Sequence, residues 1–161
     1  MEAKWSPQEI LKIAIKVELN GQQLYSCLES DSEDIKIKQI WNFLKQQEIV
    51  HRQIFEDMLA KDGSLIVHEF GTGEYDAYMK AIASEYIITL KIIEEKLKTK
   101  FASDLAAVDF ALSIEKESVL VYTALKNYVT EDKQHILDKI IDEEKKHIVQ
   151  LIKLKRLVKK Q

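Results

Sequence analysis

The feature that most constrains this chain is a pair of Glu-x-x-His tetrads, Glu48-Ile-Val-His51 and Glu144-Lys-Lys-His147. Both stand where an amphipathic helix would carry buried residues. Two further glutamates, Glu18 and Glu115, each lie roughly 30 residues upstream of one tetrad. Four buried carboxylates would repel one another and lose their hydration. Because two divalent cations would remove both problems, the pattern predicts a dinuclear metal site inside a helical bundle.

The apolar pattern predicts four long helices joined by one long crossover: 7–29, 33–61, the crossover 62–103, 104–129 and 131–158. Each helix carries one face of inward residues at alternating steps of three and four. Ser6 and Ser103 are expected to cap two of the helices, and Gly63 to end another. In the crossover, 74–86 reads as helix. The stretch 87–101 is ambiguous, because 87–90 could be extended while 92–100 could form a short helix.

The expected fold is therefore all-α, a four-helix bundle of two antiparallel helix pairs with short helical pieces in the crossover. The inward residues predicted for the second helix illustrate the pattern: Ile37, Trp41, Leu44, Glu48, His51, Phe55 and Met58. On all four faces the ionisable residues are the proposed ligands, and they fall near mid-helix. The repetition between the two halves predicts a pseudo-twofold axis, with one metal in each half.

Composition sets the broad class of protein. A chain of 161 residues suits a single domain over 1–161. The single cysteine, Cys27, excludes a disulfide framework or a four-cysteine iron centre within this chain. A net charge of −3 gives no general attraction to nucleic acid. Because no signal peptide or membrane-span length of apolar sequence occurs, we expect a cytoplasmic protein with no membrane partner.

Glutamate and histidine three residues apart project from one helix face, so each tetrad can offer a carboxylate and an imidazole to one metal. This donor set suits iron or manganese and tolerates zinc. Glu48 and Glu144 are the expected bridging ligands, Glu18 and Glu115 the terminal ones, and His51 and His147 complete the site. The predicted metal ligands are thus Glu18, Glu48, His51, Glu115, Glu144 and His147.

Two tyrosines, Tyr25 and Tyr122, each follow a predicted ligand glutamate by seven residues. Three interpretations stay open for them: hydrogen-bond donors to ligand carboxylates, redox-active phenols near the metals, or aromatic residues that fill the core. Glu117 and Glu143 fall off the inward faces and are expected to lie in solvent.

Taken together, these residues resemble the rubrerythrin branch of the ferritin-like superfamily. The matching segments are Glu18 with Tyr25, the first tetrad followed by Phe55, residues 111–122 and residues 142–147. The resemblance implies a non-haem site with two Fe ions that reduces peroxide or dioxygen. It also implies electrons from an external donor such as a rubredoxin-type protein, because this chain has no four-cysteine rubredoxin centre.

The chain departs from the family at Ser118, where the resemblance implies an additional glutamate used in redox-linked ligand exchange. Two other functions remain open. One is a non-enzymatic iron-binding or iron-handling protein. The other is a di-iron oxidase or oxygenase acting on an organic substrate. Separately, the crossover face could form a homodimer contact. In the oxygenase interpretation a pocket would be lined by crossover residues, namely Tyr75, Tyr78, Met79 and Tyr86.

Overall fold

The computed structural model describes residues 7–61 and 73–160, and these residues form helices with no β-strand. The helices are α1 (Pro7–Asp31), α2 (Ile35–Lys61), α3 (Gly73–Lys96), α4 (Asp104–Leu125) and α5 (Glu131–Val158). A short 3-10 turn, Lys126–Tyr128, follows α4. The all-α prediction is confirmed, and the bounds of the four long helices differ from the predicted bounds by four residues or fewer.

Local hydrogen bonds explain where two of the helices begin. The Ser103 hydroxyl accepts a hydrogen bond from the Ala106 amide at 3.1 Å, as predicted for the start of α4. At the start of α2 the Asp34 carboxylate accepts hydrogen bonds from the Lys36 and Ile37 amides, at 2.7 and 3.3 Å. The predicted roles of Ser6 and Gly63 lie outside the described residues.

The crossover differs from the expected short helical pieces, because α3 is one helix of 24 residues. The extended alternative for residues 87–90 is wrong, because they lie within α3. A β-branched run suggested it, but Ile82, Tyr86 and Ile93 share one helical face and are buried against the bundle. Burial of this face outweighs the weak local preference for extended backbone.

The bundle consists of two antiparallel helix pairs, α1 with α2 and α4 with α5, and α3 packs on α1 and α4. Every inward residue predicted for α2 is buried. Two apolar cores lie at opposite ends of the bundle. The first contains Leu11, Phe55, Leu125 and Leu137, and the second contains Leu24, Trp41, Val108 and Leu151. The predicted ligands lie along each helix between these two cores.

Candidate metal centre

The six predicted ligand side chains converge at mid-bundle, and each is at most 3% exposed. They form two overlapping groups of four, and within each group the ligand atoms all lie within 4.8 Å of one another. Glu48 and Glu144 belong to both groups, which is the arrangement expected of bridging ligands. The first group is completed by Glu18 and His51, and the second by Glu115 and His147.

The chemistry of this donor set fits a pair of metal ions. One oxygen of each of the four glutamates and Nδ1 of His51 lack a hydrogen-bond partner although they are buried. Nδ1 of His51 lies 2.8 Å from Oε1 of Glu144, yet the two groups do not meet in hydrogen-bond geometry. The buried polar residues among those described include no lysine or arginine. Cations between these atoms would satisfy them and balance the four carboxylates.

Both histidines turn Nδ1 towards the carboxylates. Nδ1 of His147 lies 3.2 Å from Oε2 of Glu144 and 3.5 Å from Oε2 of Glu115. On the outer side of the other ring, Nε2 of His51 lies 2.7 Å from Oε2 of Glu143. A carboxylate behind a ligand histidine fixes the orientation of the ring and raises the basicity of the ligand nitrogen.

The expectation that Glu143 lies in solvent is therefore wrong, because its side chain is only 26% exposed and contacts His51. Periodicity identifies the inward residues of α5, but it does not tell which flank of α5 faces α2. That choice depends on how the helices are arranged in the bundle. Glu117 is likewise half-buried, and its carboxylate accepts a hydrogen bond from Thr89 of α3 at 3.1 Å.

The two predicted tyrosines donate hydrogen bonds across the bundle. The Tyr25 hydroxyl donates to Glu115, and the Tyr122 hydroxyl donates to Glu18. Each partner glutamate belongs to the opposite helix pair rather than to the pair that carries the tyrosine. Both rings also pack on core aromatics: Tyr25 stacks on Trp41 at 5.8 Å, and Tyr122 lies 5.0 Å from Phe55. Of the open interpretations, the structure thus supports hydrogen bonding together with core packing.

Burial and interactions with neighbouring groups shift the pKa values of the four carboxylates. Burial, followed by the negative charge of Glu144, raises the pKa of Glu18 and Glu115 well above the ordinary value. Burial, followed by the charge of Glu18, raises the pKa of Glu48. For Glu144 burial acts in the same direction, but its close polar contacts with Glu115 and the two histidine rings outweigh burial and lower its pKa. Glu144 therefore carries the charge most readily.

The histidines hold protons at neutral pH in the metal-free cluster. Burial by itself would lower the pKa of each ring, but close contacts with neighbouring carboxylates outweigh burial. The pKa of His51 rises to about 9, chiefly through Glu144, and that of His147 to about 10, chiefly through Glu115. Since metals bind the neutral imidazole, filling the site must release these protons.

A glycine that sequence reasoning did not assign to the site makes room for one shared carboxylate. Gly21 lies on the inward face of α1, and a Cβ atom there would stand 2.5 Å from Oε2 of Glu48 and 3.1 Å from its Cδ. Any other side chain would have to displace the Glu48 carboxylate. Gly21 follows Glu18 by three residues and so shares its helical face, and a glycine at such a position is the sequence signal that could have identified it.

Two of the four crossover residues in the oxygenase interpretation have described side chains. Tyr86 is buried at 2% exposure, whereas Tyr78 is 45% exposed. The side chains of Tyr75 and Met79 lie outside the described residues. Ser118 is buried on α4, and its hydroxyl donates to the backbone carbonyl of Ile114 at 3.1 Å rather than to the ligand cluster.

Comparison with known proteins agrees with this geometry. The family model for Rubrerythrin matches residues 9–155. A crystal structure from Thermotoga maritima, described as a candidate ferritin-like diiron-carboxylate protein, superposes with a TM-score of 0.70 at 26% sequence identity. The match covers 97% of this chain and 98% of the other, so the predicted ferritin-like fold is confirmed. The comparison with curated protein sequences gives no significant match. Among the described helices, none is long and apolar enough to span a membrane.

Proposed function

Because the chain belongs to the rubrerythrin family, we propose that its buried cluster holds two iron ions and reduces peroxide or dioxygen. The observation that carries this proposal is the overlap of the two ligand groups, with Glu48 and Glu144 common to both. Carboxylate and imidazole donors suit iron and manganese, and the same ligand pattern recurs in di-iron carboxylate bundles. Manganese or zinc are the expected substitutes.

The bound ions would supply Lewis acidity and electrons to the oxygen substrate. The protein contributes the rest. Glu48 and Glu144 would hold both ions, while the glutamate and histidine unique to each group would hold one ion each. Tyr25 and Tyr122 restrain the glutamates that belong to single groups, and Glu143 orients His51. The apolar cores on either side exclude bulk water.

Reduction of one peroxide to two waters consumes two electrons and two protons. We propose that the electrons come from an external donor such as a rubredoxin-type protein, since the one cysteine of this chain cannot form such a centre. We further propose a cytoplasmic protein without a nucleic-acid partner, since a net charge of −3 gives no general attraction to nucleic acid.

Metal stoichiometry tests the ligand assignment. Glu144→Ala removes a ligand common to both groups and should abolish the two-ion centre, whereas Glu18→Ala should leave one ion per chain. Glu56→Ala, a half-exposed position on α2, is the matched control and should bind two. Elemental analysis after anaerobic Fe(II) loading and desalting measures all three. Two ions per chain in Glu144→Ala would reject the assignment.

Catalysis needs a separate measurement. The iron-loaded chain with ascorbate as reductant should consume peroxide over many turnovers. The decrease in peroxide absorbance measures this consumption. Two tightly bound irons with consumption limited to one equivalent of peroxide would instead favour the iron-handling alternative. Conversion of an added organic substrate in step with dioxygen uptake would favour the oxygenase alternative.

A further inference from the structure

The outer surface between α2 and α5 is left open by α3, which packs on α1 and α4 instead. Two contacts show how α2 and α5 pass each other. The Phe43 ring meets the edge of the His147 ring, with centroids 6.5 Å apart, and His51 contacts Glu143 at 2.7 Å. Because a later residue of α2 meets an earlier residue of α5, the two helices run antiparallel in a known register.

This register identifies the side chains along the open surface. On α2 a stripe follows Phe43 at seven-residue intervals, and on α5 a stripe follows Glu143 at steps of three and four. The exposed members of the two stripes within residues 36–50 of α2 and 146–157 of α5 define what we term the α2–α5 groove: Lys36, Phe43, Val50, Lys146, Lys153 and Leu157. The α2 stripe continues beyond this groove to the exposed Asp57.

The groove combines apolar and cationic side chains. Phe43, Val50 and Leu157 are 44%, 52% and 59% exposed, which is high for large hydrophobic residues. The register places its three lysines on the same two stripes, and the carboxylate of Glu143 contacts His51. Lysine ion pairs of the described residues lie at other positions, among them Lys45, Lys100, Lys126, Lys145 and Lys155. Exposed apolar residues interspersed with cations are the composition of a docking surface for an acidic protein.

Phe43 connects this surface to the buried cluster. Its ring is exposed on one side and meets His147 on the other, and Nδ1 of His147 lies 3.2 Å from Glu144. A protein docked on Phe43 would thus be separated from the proposed metal ligand His147 by the Phe43 side chain alone. The equivalent approach between α1 and α4 is covered by α3, whose Tyr86 and Ile93 are buried there.

We propose that the α2–α5 groove docks a small acidic electron-transfer protein, which delivers through the Phe43–His147 contact the two electrons that each peroxide consumes. This inference rests on the proposed function, because it names the partner of the same site. The carrier is oxidised by two electrons in total, and the two protons come from solvent. Lysine attraction would bring the carrier to the groove, and the exposed apolar residues would hold it.

Binding can be measured without turnover. The probe is an acidic rubredoxin with zinc in place of iron, titrated by calorimetry into the metal-loaded protein at low salt. The double variant Lys146→Glu/Lys153→Glu should lose at least about tenfold in affinity. The matched control Lys91→Glu/Lys116→Glu changes the net charge equally at exposed positions on α3 and α4 and should lose less than about threefold. Phe43→Ala, which leaves the charge unchanged, should also lose about tenfold.

Three results would overturn the inference: no measurable binding, equal losses in the control and the groove variant, or a Phe43→Ala affinity equal to that of the unmodified chain. A dimer in sedimentation that Phe43→Ala converts to monomer would place a second copy of this chain in the groove, and would overturn it as well. Peroxide consumption with ascorbate, which needs no docking surface, tests the proposed function independently of these outcomes.

Discussion

At the residue scale, Gly21 makes room for the Glu48 carboxylate because it has no side chain. Gly21→Ala would place a methyl carbon 2.5 Å from the Glu48 carboxylate, so we expect that carboxylate to move and the bound metal to fall below two ions per chain. Alanine stabilises a helix by about 0.5–1 kcal/mol relative to glycine. A loss of metal binding in this variant could therefore not result from a less stable α1. Elemental analysis after desalting measures the loss. Gln23→Ala, exposed on the same helix, is the control. Full loading of Gly21→Ala would show that Glu48 has room to adjust.

Tyr25→Phe removes one hydroxyl and little else. Its ring should still stack on Trp41, while Glu115 loses the hydrogen bond that restrains it. We expect two irons per chain to be retained but metal affinity or turnover to fall by about 10- to 100-fold, the usual effect of losing an outer partner of a ligand. Competition with a chelator and the peroxide assay give the two values. The exposed Tyr78→Phe serves as the control. Complete loss of iron would mean that Tyr25 is essential for assembly of the site.

The inward direction of each ligand could be predicted from sequence, because one helical period fixes it for a whole face. The partners of Tyr25 and Glu143 could not be predicted, because both bonds cross between helix pairs. Tyr25 follows Glu18 by seven residues, yet it donates to Glu115 of the other helix pair. Only the packing of one pair against the other determines such a contact.

At the scale of the element, α3 is attached to the bundle by a few large side chains. Ile93→Ala should lower the free energy of unfolding by about 2–5 kcal/mol, because Ile93 is fully buried and a cavity would remain. The neighbouring Ile92→Ala, at 42% exposure, should change it by less than about 1 kcal/mol. Denaturant unfolding of the metal-free protein measures both. Equal, small effects would mean that α3 does not dock on the bundle in solution.

The contrast between α2 and α3 shows what sequence patterns can predict about an element. All predicted inward residues of α2 are buried, because that helix has apolar neighbours along its full length and a strong seam. α3 lies on the outside of the bundle, and among its described side chains the buried ones form a narrow stripe of Ile82, Tyr86 and Ile93. A stripe this sparse leaves helix and strand patterns hard to distinguish, and the contact with α1 and α4 decides the outcome.

At the scale of the whole molecule, the ligand repeat is nearly symmetric while its surroundings are not. Glu143 stands directly before Glu144 and holds His51, whereas the residue directly before Glu48 is the uncharged Gln47. On the outside, α3 covers α1 and α4 but leaves the α2–α5 groove open. The two halves thus offer similar ligands in different environments.

The metal-free bundle should lose stability as the pH rises. The pKa values of Glu18, Glu48 and Glu115 are raised by burial, and those of His51 and His147 lie near 9 and 10. A group whose pKa is raised by folding contributes stability fully below its unfolded pKa and loses it as the pH rises through the folded value. The lowered pKa of Glu144 acts in the opposite sense only at acidic pH. Between about pH 5 and pH 9 the destabilising trend should therefore dominate.

Metal should reverse this trend, because cations bind the deprotonated ligands and meet less competition from protons at higher pH. The increase in Tm caused by Mn(II) should thus grow from pH 5.5 to pH 8.5 under nitrogen. At a free concentration about 100 times Kd, metal would add about 2.7 kcal/mol, or several degrees for a chain of this size. Glu144→Ala, which lacks a ligand common to both groups, should show little increase at either pH. An increase in Tm that is the same at both pH values would mean that metal binding releases no protons. The carboxylates and imidazoles of the cluster would then be deprotonated before metal binds.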